Sequence, residues 1–327
     1  MRRIGLAVLV LLMAGGCGQQ QPAGGGNVTQ APGPKTGKLR VAVVPKALSH
    51  QFWMTVKAGA DAAGKEFGVE IDWQGPAKET EVYKLISIME DMISSKVNAI
   101  VMAACDENAL IGVVQKAIDA GIPVVTIDSG IKSDIGVSFV ATDNIAGGKA
   151  AARELARLVG NEGEVGLIPF VPGAATSEMR EQGFLDGLAE FPNMKLAQKL
   201  YSMSDVAKSM SVTEDMMTSN PNLKGIFAAS EPTAVGSAQA LKAAGKAGQI
   251  KLVAFDASDE EIQALKAGTI QALIVQNPYQ MGYRGVKAAL DHLQGKPVEK
   301  RVDTGVTVVT MENFNNPDIQ KLLYPLN

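Results

Sequence analysis

Residues 122–130 read IPVVTIDSG, and residues 251–261 read KLVAFDASDEE. Each is a short apolar run rich in β-branched residues that stops on an aspartate. A run of this kind, with no polar alternation, is a strand buried on both faces. Similar runs lie outward from these two, at 39–44, 69–73, 99–103, 166–169, 225–228 and 272–275. Between them come segments with helical periodicity, at 52–67, 81–94, 109–120, 146–159, 180–190, 207–219, 233–244 and 282–293. Gly68, Gly121, Gly160 and Gly245 stand where helices close on a left-handed residue. Strand and helix alternating along most of the chain predicts an α/β fold of doubly wound parallel sheets, with helices on both faces.

In open α/β sheets a ligand sits beyond the carboxyl ends of the strands, so the residues that follow each strand are the candidates for function. They are Lys46, His50, Phe52 and Trp53 after the first run, Asp106 after the third, and Asp128 with Ser129 after the fourth. Later runs are followed by Thr176, Ser177, Glu178 and Arg180, by Ser230 and Glu231, by Asp256 and Asp259, and by Gln276. Asp and Ser ahead of a helix are expected as caps on structural grounds alone, and Asp106, Ser177 and Asp259 are assigned to that role. Asp128 and Asp256 differ, because each ends a strongly apolar strand without an immediate helix start. Their carboxylates point into whatever lies above the sheets. Phe52 and Trp53 fit either a ligand wall or the buried face of a first helix. His50 fits a ligand contact or a helix cap.

The chain has 327 residues, 31 of them basic and 34 acidic, for a net charge of −3. Its start is a separate unit: Arg2 and Arg3, an uncharged stretch of thirteen residues at 4–16, and Ala14-Gly15-Gly16 before Cys17. This is the pattern of a secretory signal, and it is too short for the ~20 apolar residues of a spanning helix. It resembles a bacterial lipobox, with residues 1–16 removed and Cys17 acylated, although Ala14 stands where most lipoboxes carry leucine. Residues 17–37, rich in Gly, Gln and Pro, read as a flexible tether. The membrane relationship is then anchoring by an N-terminal lipid. Without the signal, 29 basic residues face 34 acidic ones. That balance favours solubility and disfavours binding to nucleic acid or anionic lipid. Cys105 is the one thiol left beyond Cys17, so no intramolecular disulfide forms in the folded body. With two histidines (His50 and His292) and no Cys-x-x-Cys, neither a metal site nor a cofactor is expected. No nucleophile elbow or Walker loop is present, and an Asp128–Asp256 acid/base pair acting on a glycoside is the weaker alternative to a binding site, so no enzyme is expected.

Taken in order, LRVAVVPKALSHQFW (39–53), IPVVTIDSG (122–130), ATDNIAGGKAA (141–151), TSEMREQGF (176–184), IFAASEPTAVGSAQAL (226–241), KLVAFDASDEE (251–261) and IVQNPYQMGYRGV (274–286) resemble the ribose-binding-like, pentose- and hexose-binding periplasmic proteins of ABC importers. The resemblance runs from residue 38 to about 310. It implies the type I periplasmic binding protein fold: an N-terminal lobe of residues 38–142 plus 277–303 and a C-terminal lobe of 143–276 plus 304–327, joined by three crossing segments. The crossings are expected near 141–144, at Asp256 and at 276–278, and the lobes are expected to close about them around a ligand.

The same resemblance implies a site. Phe52 and Trp53 match aromatics that sandwich a sugar ring, whose C–H face suits an aromatic face. Asp128 and Asp256 match acceptors for sugar hydroxyls, Arg180 a donor, and Gln276 an amide that does both. His50, Ala103, Ser129 and Ser230 stand where ribose binders carry planar amides or an arginine, so ribose itself is not the expected ligand. Lys46, Glu178 or Glu231 could approach a different one. VPK (44–46) and WQGP (73–76) also look like autoinducer-2- and rhamnose-binding relatives, in the first of which a lysine at the Lys46 position contacts ligand. The expected function is an extracytoplasmic lipoprotein, periplasmic or at the cell surface. It is expected to act as a monomer, carrying a small neutral monosaccharide or polyol to an ABC permease. A sugar receptor for a membrane sensor is the alternative role. Sugar-responsive repressors share this core, but residues 1–37 hold no helix-turn-helix.

Overall fold

The computed structural model describes residues 38–326, so the signal, Cys17 and the tether lie outside the described residues. In chain order the first part runs β1 (Arg40–Val44), α1 (Gln51–Phe67), β2 (Glu70–Trp73), α2 (Val82–Ser94), β3 (Ala99–Met102), α3 (Ile111–Asp119), β4 (Val124–Ile127) and β5 (Ser138–Ala141). A second part follows with α4 (Asn144–Val159), β6 (Gly163–Ile168), α5 (Ala175–Leu188), β7 (Met194–Lys199), α6 (Val206–Ser219), β8 (Leu223–Ala228), α7 (Glu231–Ala243), β9 (Lys251–Phe255), α8 (Asp259–Lys266) and β10 (Ala272–Val275). The chain then returns with α9 (Pro278–Leu293) and β11 (Arg301–Asp303), and ends with β12 (Thr307–Val309) and α10 (Pro317–Leu323).

These strands make two six-stranded sheets of the same order, β11-β5-β4-β3-β1-β2 and β12-β10-β9-β8-β6-β7. The first sheet is parallel throughout; in the second, only the edge strand β12 runs antiparallel, against β10. Two doubly wound lobes are the result. Every residue of β3, β4 and β10 is buried, as strands covered on both faces require. Alternation in β1 divides the first core: Val41 and Val43 pack with α1 and α9, while Ala42 and Val44 pack with α2 and α3. Among the described residues no helix is long and apolar enough to cross a membrane.

The chain passes between the sheets at 142–143, 276–277 and 304–306. Asp256 is not on a crossing: it follows β9, and the chain goes on to α8 against β10 of the same sheet. The elements that sequence periodicity passed over are short or lie at edges. The edge strand β7 (MKLAQK) is only partly buried, β11 is three residues long, and α8 opens on Asp259-Glu260-Glu261. α8 is held by a capping box, in which Glu261 N donates to Ser258 Oγ at 3.3 Å and Ser258 N donates to Glu261 Oε2 at 2.7 Å. Thus Ser258 caps this helix and Asp259 is its first residue. Ser177 is no cap either. α5 starts five residues before the position its periodicity suggested, and Ser177 Oγ instead accepts from Phe170 N at 3.2 Å.

Two helix pairs bring the site's side chains into position by close backbone approach. A Cβ on Gly59 of α1 would lie 2.0 Å from Tyr279 O of α9, and one on Gly148 of α4 would lie 2.3 Å from Arg180 O of α5. α1 carries Phe52 and Trp53, and α5 carries Thr176 and Arg180. A methyl group at either glycine must push the helices apart, and overpacking of this kind costs about 1–3 kcal/mol. Gly59→Ala is therefore expected to lower unfolding free energy by about that amount in a denaturant titration; an unchanged midpoint and slope would show that α1 and α9 can separate freely.

Candidate functional site

One cavity lies at the carboxyl ends of strands of both sheets. Nine of the sequence-derived candidates, Lys46, His50, Phe52, Trp53, Asp128, Arg180, Ser230, Asp256 and Gln276, line it. The symmetry of the sheets explains the two aspartates. Asp128 follows the fourth strand of the first sheet, Asp256 the corresponding strand of the second. Each donates its backbone N–H to the neighbouring strand, Asp128 to Val140 O and Asp256 to Ile274 O, both at 3.0 Å. Each also has a left-handed backbone, with φ 56° and 87°. Non-glycine residues held there cost of the order of 1–3 kcal/mol and persist where the surroundings fix them.

Burial of these carboxylates dictates their partners. Lys46 Nζ lies 2.9 Å from Asp128 Oδ2 and donates to Ser129 Oγ at 3.1 Å and to Thr176 Oγ1 at 3.2 Å. An ammonium has three N–H bonds. All three are spent inside the protein, so Lys46 lines the cavity but serves to tie the first lobe to Thr176 of the second. Burial works against its charge, and the attraction of Asp128 and Glu79 more than offsets this, raising its pKa. Asp256 accepts from Gln276 Nε2 at 2.7 Å and from Glu231 N at 3.0 Å. Burial nevertheless pushes its carboxyl above the usual range, against the pull of Arg180. Gln276 Oε1 is buried and has no partner within the protein, an acceptor facing a site that it lines.

Arg180 donates Nε–H to Asn144 Oδ1 and Nη1–H to Ala229 O, both at 2.8 Å. Its guanidinium stacks 3.7 Å from the Phe255 ring centroid and lies 5.4 Å from that of Phe170. Burial lowers its pKa. Two bonds use two of its five N–H donors. Phe52 and Trp53 pack edge to face at 4.9 Å, with Trp53 only 1 % exposed. Trp53 belongs to the first core and also lines the cavity. Ser230 Oγ pairs with Thr233 Oγ1 at 2.9 Å.

Five further residues line the cavity: Glu79, Phe170, Ser204, Glu231 and Pro232. Phe170 was visible in principle as the second residue after an apolar strand, and Glu231 was noted as an approach to ligand. Glu178 is placed elsewhere, its carboxylate accepting from Gly173 N. Ala103 is buried outside the cavity lining. Glu79 and Ser204 sit in loops with no periodicity to mark them. His50 occupies the N-cap position of α1 but makes no side-chain cap bond. The cap comes from the other lobe instead: Glu231 Oε1 accepts from Gln51 N at 3.0 Å and Oε2 from Phe52 N at 2.8 Å. A helix N-terminus favours a carboxylate, but burial dominates and pushes Glu231 up to about 7. Burial, with Asp256 and Glu231 nearby, also drives Glu261 well above the usual carboxylate range. Among the described residues no group of three or more His, Cys, Asp or Glu side chains could hold a metal ion.

Residues 41–297 match the family described as a periplasmic binding protein domain. The chain is 34 % identical to a D-ribose/D-allose-binding protein of Pseudomonas aeruginosa, over 84 % of this chain and 89 % of that one. Among solved structures, a solute-binding protein of an ABC transporter from Agrobacterium vitis with bound D-fucose is 40 % identical, with a TM-score of 0.85 over 87 % of this chain and 100 % of that one. A carbohydrate-transporter solute-binding protein from Agrobacterium radiobacter in complex with D-arabinose is 35 % identical, with a TM-score of 0.86 over 88 % and 100 %.

Glu231 gives the site a pH dependence of definite sign. A carboxyl raised from 4.5 to about 7 in the folded state stabilises the fold fully below 4.5, and that contribution is lost as pH rises through about 7. Glu231→Gln stays neutral throughout. The melting temperature of the wild type relative to this variant is expected to fall between pH 5 and 8. Parallel curves would place the Glu231 pKa at its ordinary value.

Proposed function

The chain belongs to the periplasmic binding protein family, and from that premise we propose a role for each part of its site. It is an extracytoplasmic solute-binding protein that captures a small sugar or polyol between its two lobes for delivery to an ABC importer. Its work is capture and release, without catalysis. The observation that carries the finer reading is that the cavity's charged groups are held by partners within the protein. Lys46 is paired with Asp128, and Arg180 lies within the electrostatic reach of Asp256. A neutral, polyhydroxylated ring needs no counter-charge. It meets an aromatic wall in Phe52 and Trp53, donors in Arg180 and His50, and acceptors in Asp128, Asp256 and Gln276 Oε1. Ser230 leaves room beside them. The relatives' cargoes, D-ribose, D-allose, D-fucose and D-arabinose, put neutral monosaccharides first. An autoinducer-2 contact from Lys46 would require giving up one of its three bonds.

The proposed N-terminal lobe is 38–142 with 277–303, and the C-terminal lobe 143–276 with 304–327. They turn about 142–143, 276–277 and 304–306. The first and last of these are already tied, Thr142 Oγ1 donating to Gly305 O at 3.1 Å and the Arg301 guanidinium to Ala141 O and Thr142 O at 2.9 and 3.0 Å. Gln276 sits on the middle crossing, so its amide senses ligand at the axis of the motion. The mature protein is a monomer held to the membrane by a lipid on Cys17.

Thermal shift of the body from Lys38 onward, against monosaccharides, polyols and autoinducer-2, tests this reading. A ligand at a hundred times its Kd adds about 2.7 kcal/mol of stability. With the sugar identified, Asp256→Ala is expected to weaken binding by at least ~1.5 kcal/mol, as for a charged hydrogen bond. Stabilisation by no sugar or polyol would sink the proposed site. Intact mass spectrometry of membrane-extracted protein should show cleavage before Cys17 and a diacylglyceryl adduct on it; a soluble product cleaved elsewhere would remove the anchor.

A further inference from the structure

Glu79 lies on the segment between β2 and α2, which no strand or helix contains, yet the residue is 7 % exposed and lines the cavity. Each of its oxygens has a separate task. Oε1 accepts the indole N–H of Trp53 at 3.1 Å and lies 3.9 Å from His50 Nδ1. Oε2 accepts from Ser204 Oγ, across the cleft, at 2.7 Å. Both sides of this contact are built to hold it. On the near side, Ala77 N and Lys78 N donate to Glu81 Oε2 at 2.9 and 3.0 Å, which fixes the backbone entering Glu79. On the far side, Met203 and Ser204 are consecutive non-glycine residues with φ 58° and 51°. Their turn is strapped to the loop that carries Phe170, with Met203 N donating to Phe170 O at 2.8 Å. Two adjacent left-handed residues cost of the order of 1–3 kcal/mol each, and here they aim one hydroxyl at one buried carboxylate.

The charge of Glu79 is supported as well. Burial opposes ionisation, but Lys46, His50 and the bonds from Ser204 and Trp53 together hold its pKa below the usual value. Were the residue only a counter-ion for Lys46, it would need neither the indole bond nor the far-lobe hydroxyl.

We infer that Glu79 is a positioning residue of the sugar site, one carboxylate that fixes the plane of the Trp53 ring and latches the lobes through Ser204. This rests on the proposed binding of a ring between the lobes. Stacking and closure then share a group: a ligand that seats against Trp53 meets a wall that stops moving when Ser204 arrives. The latch acts on the closed complex, so its loss should appear in escape of ligand and leave capture alone.

Glu79→Ala, Ser204→Ala and the double variant, with a sugar found by the thermal-shift screen, test this by stopped flow. Glu79→Ala is expected to speed dissociation tenfold or more with association within about twofold, Ser204→Ala to speed it less, and the double variant to be no worse than Glu79→Ala. Multiplying effects, or dissociation within twofold of wild type in Glu79→Ala, would overturn the latch. If Glu79→Ala does not fold, Glu79→Gln, which keeps an acceptor for the indole, takes its place and should lose less. A ligand-free readout separates this inference from the function on which it rests. In ¹⁵N spectra the Trp53 indole N–H should move and exchange faster with solvent in Glu79→Ala but not in Ser204→Ala, with Trp73 as an unmoved reference. A Trp53 resonance that stays in place refutes the positioning role even where sugar still binds. Absence of sugar binding by the wild type, with the indole shift intact, refutes the functional reading alone.

Discussion

Carboxylates removed from water govern this structure. Asp128, Asp256, Glu79 and Glu231 are all buried around one cavity, and an unpaired buried charge is among the costliest things a protein can hold. Each is answered by a particular group, and most of those groups come from far along the chain. Asp128 has Lys46, Asp256 has Gln276 and a backbone N–H, Glu79 has Trp53 and Ser204, and Glu231 has the first turn of α1. Read in sequence these contacts form a chain along the cavity: Gln276 to Asp256, Asp256 to Glu231, Glu231 to the start of α1, and from Trp53 on α1 through Glu79 to Ser204. Removal of any member leaves another without its partner, and such networks are apportioned properly only by double-variant cycles.

The architecture was legible because its signal is redundant. Strands such as AIVM and ALIV are apolar throughout, and nothing but a sheet covered on both faces accepts them in that rhythm. Asp128 and Asp256 stood out for the same reason, polar endings on apolar strands, and both reach the cavity. The parts that escaped notice carry no periodic signal. β7 is an edge strand whose exposure obeys no alternation, β11 is only three residues long, and α8 owes its existence to a capping box more than to an apolar stripe. Glu79 and Ser204 meet across 125 positions of sequence. Their pairing is a property of tertiary geometry, and a single sequence has no means of displaying it.

His50 shows how a correct local expectation can have the wrong agent. The sequence placed a polar residue ahead of a helix, where a cap belongs, and the helix is indeed capped there. The capping oxygen, however, belongs to Glu231, 181 positions later, and reaches in from the opposite lobe. Lys46 is the complementary case. Its position after the first strand brings it to the cavity, but Asp128, Ser129 and Thr176 take all of its donors, so it braces the site.

The pairing of α1 with α9 through Gly59 also bears on how the molecule comes to be made. α9 supplies Val286, Ala289 and Leu290 to the core beneath β1, β3 and β4, while its own chain segment begins only at Pro278. A chain emerging from its N-terminus therefore has one face of its first sheet only partly covered, by α1 alone, until nearly nine-tenths of it has been released. Contacts so remote in sequence form slowly, because loop closure must precede any reward from burial. The first lobe is thus late to become compact whatever the speed of the second. For a protein that acts outside the cytoplasm, that delay keeps the chain loose while it is still being made.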